Sequence, residues 1–363
     1  MSPGAVPVTA EERTAANLLA LARVEVDPIL RAVVESMPES MSRIAAYHFG
    51  WQEADGSAAS ADAGKAIRPA LVLAAARPYT GAVPLTTGPA ATSLGGIAQS
   101  TTRAAAAVEL VHNFTLLHDD VIDRDEIRRH RLTAWKVFGT TEAILVGDAL
   151  HSVALRTLAE DTHPAARAAM RRLTHCVVEL CDGQQADCAF EQRTRVTLAE
   201  CLAMAEAKTG ALLGCACAIG ALYGGANEAE AQAMDAFGRQ IGVAFQLIDD
   251  LIGIWGDPGV TGKPAGSDLL IRKKSLPVVS ALESGTTAGA DLAEIYALQR
   301  PLTGAEARRA AEAVDRAGGR DWAQSAARER MNAAIEHLTV AVPDTISAQP
   351  LLALAQMVAR RNR

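Results

Sequence analysis

Five acidic side chains and three arginines are concentrated in one short stretch, from Asp119 to Arg129. They directly follow an apolar run, residues 104–117, that contains neither Gly nor Pro and is therefore predicted to be a buried helix. If the helix continues through Asp123, then Asp119 and Asp123 lie four residues apart on one face, with Asp120 to the side. Carboxylates at this spacing repel each other, so a purely structural helix has no use for them. A divalent cation would turn the repulsion into attraction.

The ligand chemistry of this stretch favours a hard metal ion and a phosphorylated substrate. Carboxylates without thiolate or paired imidazole favour Mg²⁺ over Zn²⁺. Mg²⁺ usually binds one or two carboxylates and completes its shell with water and substrate phosphate oxygens. Arg128 and Arg129 add planar donor forks suited to bidentate phosphate contacts. The alternative is a solvated helix end of mixed charge, but the adjoining apolar segment argues against it.

A second pair of aspartates repeats the pattern far along the chain. Asp249 and Asp250 end another apolar helical run, predicted over about 228–254, and a turn carrying Lys263 follows. Two acidic helix faces could hold one metal–diphosphate cluster between them. A single Asp-Asp pair is a weak motif, whereas two pairs, each with basic residues downstream, form a strong one.

With these motifs the chain resembles the trans-isoprenyl diphosphate synthases of the polyprenyl synthetase family, from about Gly64 to the C-terminus. Residues 118–125 followed by Arg128 and Arg129 are highly specific to that family. The resemblance implies an all-α, single-domain helical bundle around a central cavity. It also implies an enzyme that condenses isopentenyl diphosphate with an allylic diphosphate. Several Mg²⁺ ions would bridge the allylic diphosphate, and the enzyme would be a homodimer.

Individual roles follow from the resemblance. Asp119, Asp123 and Asp249 match the metal ligands. Lys65 and Arg68 match a Gly-Lys-Arg-x-Arg-Pro motif that holds isopentenyl diphosphate, although Ala66 replaces its middle arginine. Further catalytic or substrate-binding roles are implied for Asp120, Asp250, Lys208, Lys263, His112, Arg128, Arg129, Thr209, Gln246, Lys273, Gln184 and Asp187.

Other departures from the family pattern affect the surroundings of these residues. Residues 130–133 replace the usual Gly-x-Pro-Thr, which puts the local turn in question. Gly253 stands at the last position of Asp-Asp-x-x-Asp, which removes an outer-sphere metal contact. Residues 271–272 are Ile-Arg in place of Glu-Gly.

Product length is predicted from the residues one turn below Asp119, where a growing prenyl chain would run. Thr115, four residues earlier, is small, and Phe114, five residues earlier, is large enough to close the tube. One aromatic at the fifth position, none at the fourth and no insertion in the motif resemble the synthases that make geranylgeranyl diphosphate. Farnesyl or longer products remain alternatives.

Composition agrees with a helical protein that does not bind nucleic acid. Hydrophobic residues make up 49% of the chain and aromatic residues only 4%, and no stretch alternates like a strand. The net charge of −7 argues against a nucleic-acid partner, whose phosphate backbone requires a basic face. We expect a flexible N-terminus over residues 1–12 and one all-α domain over 13–363. Helices are predicted at about 9–24 and 28–49.

Location and competing functions complete the expectations. The N-terminus has no signal-peptide pattern, and the apolar span 210–225 is too short to cross a bilayer, so we expect a cytoplasmic protein without a transmembrane segment.

Two rival functions remain. One rival is a terpene cyclase, against which Lys65, Arg68 and His112 argue. The other is a non-catalytic partner subunit, which would not need to keep Asp119 and Asp123.

Overall fold

The computed structural model describes residues 9–59, 64–80, 98–257, 266–298 and 300–359. The fold is all-α, as predicted, with 78% of the residues in helices. The strands in the described part of the chain are two short ones, β1 (Ile127–Arg128) and β2 (Arg131–Leu132), which form a hairpin. The segment 81–97, Lys263 and the tail 360–363 lie outside the described residues.

The chain divides into two compact units. Unit 1 comprises residues 1–175, 215–235 and 339–354, and unit 2 comprises residues 176–214, 236–338 and 355–363. Long helices contribute residues to both units, in keeping with a single helical domain.

Unit 1 begins with α1 (Ala10–Glu35), whose start is fixed by a capping box between Thr9 and Glu12. Residues 10–12, which we expected to be mobile, are therefore helical, and the break predicted before Pro28 is wrong. Ala22, Val26, Leu30 and Val34 are all buried at four-residue spacing on both sides of Pro28. Their burial outweighs the lost backbone hydrogen bond, because tertiary packing supplies most helical stability.

The central helix of unit 1 is α4 (Gln99–Ile122), which extends the predicted run at both ends. It is preceded by α2 (Glu39–His48) and α3 (Ile67–Ala76). It is followed by the hairpin, α5 (Ala134–Phe138) and α6 (Thr140–Ala159). Helices α1, α3, α5 and α6 all pack on α4. The α4 segment 104–108, four alanines and a valine, is completely buried, and its small side chains let these neighbours approach closely.

The next helices are α7 (Ala166–Gln192), α8 (Leu198–Ala205) and, after a π-helical turn (Glu206–Gly210), α9 (Ala211–Gly224) and α10 (Glu228–Trp255). The C-terminal part contains α11 (Ser267–Leu270), α12 (Leu276–Leu282), α13 (Thr287–Tyr296), α14 (Gly304–Arg316), α15 (Gly319–Ala341) and α16 (Thr345–Ala359). Interruptions between these helices fall near Pro301 and Pro343.

Two hydrophobic clusters lie among the described residues of unit 2. In the first, α7, α8, α10, α12 and α15 pack around Leu247, Leu251 and Val279. In the second, α12, α13 and α14 pack around Val278, Leu292 and Ala310. Residues 278 and 279 therefore face different clusters, and α12 joins the two.

One helix in the described part of the chain, Leu198–Gly224, is long and apolar enough to cross a membrane by length and composition. The prediction of a span too short to cross a bilayer considered only the apolar second half of this helix, residues 210–225. In the structure, 67% of its most apolar 18-residue window is buried inside the protein. The core helix of a soluble protein meets the same criterion, so the finding is weak evidence for a membrane span.

Two glycines of α9 permit its contact with α3 in unit 1. A Cβ added at Gly220 would lie 2.2 Å from the Val72 carbonyl oxygen, and one added at Gly224 would lie 2.2 Å from the Ala76 carbonyl oxygen. Backbone cannot move out of the way as a side chain can, so only glycine fits at these crossings.

Gly220→Ala should therefore lower the free energy of unfolding by about 1–3 kcal/mol, the usual cost of overpacking. Urea denaturation of the purified variant measures the change. Gly304→Ala is the matched control, because the nearest atom to an added Cβ there is a flexible Arg308 nitrogen at 3.7 Å. Equal stability of the two variants would contradict the packing argument.

Candidate active site

The first aspartate motif keeps helical spacing to its last member. Helix α4 ends at Ile122, but Asp123 still has a helical backbone conformation, and its amide donates to the Asp119 carbonyl oxygen at 2.8 Å. Asp119 is partly exposed and Asp123 is exposed. The two carboxylates therefore belong to one accessible face, as the sequence predicted.

Asp120 has a different environment from its neighbours. Its side chain is buried, with the residue only 1% exposed, and it accepts a hydrogen bond from Arg128 Nε at 2.7 Å. Burial raises the Asp120 pKa to about 6, although the Arg128 charge opposes the shift. Asp120 thus anchors Arg128 and does not face solvent with Asp119.

Arg128 and Arg129 are carried by the β1–β2 hairpin, whose turn lacks the glycine of the family pattern. Arg129 and His130 adopt left-handed conformations with φ of 52° and 63°. These values are uncommon outside glycine. The turn questioned on sequence grounds therefore forms, and its strain is held by contacts on the strands.

Arg131 provides those contacts, and the sequence did not single it out. Its guanidinium donates to the Tyr47 carbonyl oxygen at 2.9 Å and the Gln52 carbonyl oxygen at 3.0 Å, and it lies over the Tyr47 ring at 4.3 Å. The Tyr47 hydroxyl donates in turn to the Leu132 carbonyl oxygen at 2.8 Å. The hairpin is thereby fixed to α2.

A cluster of cations lies beside the hairpin in unit 1. Gly64 has a φ of 93°, and a Cβ there would lie 2.5 Å from a terminal nitrogen of Arg129, so that guanidinium covers the Gly64 backbone. Lys65 is exposed before α3 and Arg68 lies in its first turn. The His112 pKa lies well below its usual value. Burial is the largest cause, and the charges of Arg68 and Arg129 lower the pKa further. The structure therefore brings His112 near both arginines as a neutral imidazole.

The predicted chain-length residues differ in their surroundings. The Phe114 ring lies edge-on to His118 with 4.9 Å between ring centroids, and 5.3 Å from the His151 ring on α6. The Thr115 hydroxyl donates to the His112 carbonyl oxygen at 2.7 Å, and the residue is buried. His118 contacts the Ile144 carbonyl oxygen at 3.0 Å, which agrees with a structural role.

The second aspartate motif, in unit 2, repeats the division between its two members. Asp250 is only 4% exposed and accepts from Gln246 Nε2 and from the Leu276 amide, each at 2.9 Å. Burial raises its pKa to about 6. Asp249 is partly exposed. In both motifs, then, one aspartate is tied into the fold and its neighbour reaches the surface.

Lys208 and Thr209 lie on the π-helical turn, an irregularity common at functional sites. Lys208 Nζ donates to Asp187 Oδ2 at 2.5 Å, and the Thr209 hydroxyl donates to Gln246 Oε1 at 2.8 Å. Gln246 in turn donates to Asp250, so Thr209, Gln246 and Asp250 form one hydrogen-bonded network next to the Lys208–Asp187 pair.

Gln184, three residues before Asp187 on α7, was also assigned to the site by the resemblance. Gln184 is buried, and its amide nitrogen lies 3.7 Å from Cys188 Sγ, so it does not form a polar surface with Asp187. Gly183 explains the close approach of α7 to the π turn, because a Cβ there would lie 2.5 Å from the Lys208 backbone nitrogen.

Gly253 lacks the carboxylate of the family pattern, but the carboxylate of another residue lies beside it. An added Cβ at Gly253 would lie 2.3 Å from Asp268 Oδ2, so the Asp268 carboxylate covers this glycine. The Lys273 amide donates to the Asp268 carbonyl oxygen at 2.8 Å, and the Lys273 charge acts on Asp250. The acidic character expected to be lost at 253 is thus supplied by a neighbour.

The described residues of the two units do not by themselves form a metal-binding cluster. Among the residues that the structure describes, no group of three or more His, Cys, Asp or Glu side chains is close enough to hold an ion. Asp119 and Asp123 belong to unit 1, and Asp249 belongs to unit 2. The predicted ligand set therefore stays a prediction.

Comparison with known proteins gives one consistent result. The sequence profile of the family described as polyprenyl synthetase matches residues 56–314. A geranylgeranyl diphosphate synthase of Mycobacterium tuberculosis is 47% identical over 346 residues, which cover 95% of this chain and 93% of that protein. A (2E,6E)-farnesyl diphosphate synthase of Mycobacterium bovis is 41% identical over 92% of this chain and 89% of its own length. The crystal structure of a polyprenyl synthetase from Streptomyces coelicolor superposes with a TM-score of 0.86 at 45% identity, covering 95% of this chain and 99% of that one.

The two members of the second aspartate pair should differ in their effect on stability. Asp250→Ala leaves the buried Leu276 amide without its acceptor, which should lower the free energy of unfolding by about 1–3 kcal/mol. Asp249→Ala removes a partly exposed carboxylate and should change it by less than about 0.5 kcal/mol. Urea denaturation at pH 7.5 tests this contrast, and equal losses would contradict the assigned division.

Proposed function

The chain belongs to the polyprenyl synthetase family, and on that premise we propose that it is a Mg²⁺-dependent prenyltransferase. It joins isopentenyl diphosphate to an allylic diphosphate, with geranylgeranyl diphosphate as its main product. The farnesyl diphosphate synthase among its relatives keeps a shorter product as the alternative.

The observation that carries the proposal is the division within each aspartate pair. Asp120 and Asp250 satisfy donors of the fold, which leaves Asp119, Asp123 and Asp249 accessible. A donor set of accessible carboxylate oxygens fits Mg²⁺, which takes few protein ligands and keeps positions for phosphate. When bound, the ions would offset the charge that develops on the departing diphosphate.

The side chains of unit 1 suit isopentenyl diphosphate. Lys65, Arg68 and Arg129 offer charged donors, and bidentate guanidinium contacts fix a diphosphate in orientation as well as position. His112, kept neutral by burial and by the two arginines, can donate one hydrogen bond without a further charge.

The side chains assigned to the allylic diphosphate are Arg128, Lys208, Lys263 and Lys273. As the allylic C–O bond breaks, its electron pair stays on the diphosphate, and fixed cations stabilise that charge without reorganising. The double bond of isopentenyl diphosphate supplies the electrons of the new C–C bond. A proton then leaves to the released diphosphate, because among the described residues assigned to the site no side chain is an obvious base.

Two rival activities have distinct signatures. A terpene cyclase would consume a long allylic diphosphate alone and release a cyclic hydrocarbon. A non-catalytic partner subunit would be inactive alone with every allylic primer. The cationic cluster around Lys65 and Arg68 favours the condensation, because a cyclase has no second diphosphate to bind.

We further propose that the enzyme is a cytoplasmic homodimer. Ile144 and Leu145 on α6 are exposed, at 38% and 49%, and adjacent exposed apolar side chains are typical of an interaction surface. Light scattering of the purified protein measures its oligomeric state directly.

Asp119→Ala should reduce turnover by at least about a thousandfold, comparable to the loss of a major electrostatic contribution to catalysis. The assay uses purified protein, Mg²⁺, isopentenyl diphosphate and each allylic primer in turn, with products sized by chromatography. Asp291→Ala is the control, because Asp291 is an exposed aspartate that pairs only distantly with Arg316, at 3.5 Å. Near-normal turnover of Asp119→Ala at saturating Mg²⁺ would contradict the metal assignment.

Product length should respond to the two residues below Asp119. Phe114→Ala should shift products to longer chains, because it removes a ring that packs on His118 and His151. Thr115→Phe should shorten them by adding bulk one turn below the aspartates. Ser152→Ala, at an exposed position on α6, should leave the distribution unchanged. If both substitutions leave the product unchanged, another element such as α6 sets the floor.

A further inference from the structure

Position 66 lies between Lys65 and Arg68 and carries no charge. Ala66 has a left-handed backbone conformation, with a φ of 52°, immediately before α3 begins. Its methyl group cannot reach a diphosphate. The turn that presents Lys65 therefore has a gap in its positive charge at this point.

Arg23, on α1, reaches the same turn from a distant part of the sequence. Its guanidinium donates a hydrogen bond to the Gly64 carbonyl oxygen, across 41 positions of sequence. A small cavity beside this contact is lined by Arg23, Gly64, Ala66, Pro69 and Glu109, among others. The guanidinium and Ala66 thus border the same space.

A buried carboxylate lies within electrostatic range of Arg23 and of two arginines assigned to isopentenyl diphosphate. Glu109, on α4, is 7% exposed, and its Oε1 is 3.4 Å from the Asn113 amide nitrogen. Burial raises the Glu109 pKa, and the charges that oppose the shift include Arg68, Arg129 and Arg23. The charges of all three arginines therefore act on this carboxylate, and Arg68 and Arg129 already have an assigned role with isopentenyl diphosphate.

We propose that Arg23 is a further binding residue for the diphosphate of isopentenyl diphosphate, supplying from α1 the positive charge that position 66 lacks. The inference rests on the proposed function. Arg23 is exposed, so its guanidinium can turn from the Gly64 carbonyl to a bound phosphate oxygen at little desolvation cost.

The competing explanation is that Arg23 only holds α1 against the turn. A purely structural role would affect stability and both substrates alike. A binding role affects one substrate, and a charge placed at position 66 can replace it. The two explanations therefore separate in a charge-transplant experiment.

The test measures binding of isopentenyl diphosphate to the full chain by calorimetry, in EDTA and without metal. The KM for each substrate is measured separately, in the activity assay with Mg²⁺. Arg23→Ala should raise the Kd for isopentenyl diphosphate about tenfold and its KM likewise, with the allylic KM within twofold. Adding Ala66→Arg to this variant should restore the Kd to within about threefold of the original.

Arg31→Ala is the matched control on α1. Arg31 pairs with Asp27 and lies over the Trp51 ring at 4.4 Å, two turns beyond Arg23, so its loss should affect stability and leave the Kd within twofold. Thermal melts verify that each variant is folded.

Each outcome has one meaning. An unchanged Kd in Arg23→Ala, an equal rise in both substrate KM values, or no recovery in Arg23→Ala/Ala66→Arg would overturn the role of Arg23. Failure of the unaltered protein to bind isopentenyl diphosphate at all would instead overturn the proposed function, and the role of Arg23 with it.

Discussion

Burying an ionised carboxylate is costly unless donors of the fold compensate the lost water. Both aspartate motifs meet this condition, Asp120 through Arg128 and Asp250 through Gln246 and the Leu276 amide. The donor contacts fix the C-terminal end of each aspartate helix to a neighbouring segment. They also fix the backbone that carries the adjacent, partly exposed aspartate. Positioning and chemistry are thereby assigned to different members of each pair.

Close approach of backbones is the second condition on which the fold depends. Gly183 admits the π turn, Gly220 admits α3, and Gly238 would place an added Cβ 2.4 Å from the Leu213 carbonyl oxygen within unit 2. The alanine-rich centre of α4 serves the same purpose. Helices that approach this closely leave little freedom for the side chains they carry. The Lys208–Asp187 and Thr209–Gln246 contacts gain their geometry from that rigidity.

Much of this arrangement could be predicted from local sequence. Apolar periodicity and the lack of strand-like alternation indicated the all-α fold, and the spacing of Asp119 and Asp123 indicated a shared helix face. The continuation of α1 through Pro28 could not be predicted, because it depends on burial against elements distant in sequence. The same holds for Arg131 and Tyr47, which support the hairpin across about 80 residues.

Local sequence also could not predict which distant charged side chains lie beside the motif residues in the fold. Asp268 and Glu109 lie outside the aspartate motifs. Only folding brings Asp268 beside Gly253, and Glu109 within electrostatic range of the arginines proposed to bind isopentenyl diphosphate. A glycine or an alanine at a motif position therefore indicates where to look for a distant side chain. Identical residues of one motif can also have opposite environments, because Asp120 is buried whereas Asp123 is exposed.

The π turn at Glu206–Gly210 has a consequence for comparing relatives. Such a turn places one more residue in the helix than a regular α-helical turn holds. In a relative whose helix is regular throughout, a gapless alignment would be correct on one side of the turn and shifted by one position on the other. The lysine–threonine pair at 208–209 lies where that shift occurs. Its counterparts are best assigned by superposing coordinates, because in sequence the neighbouring alanine or glycine can take the matching column.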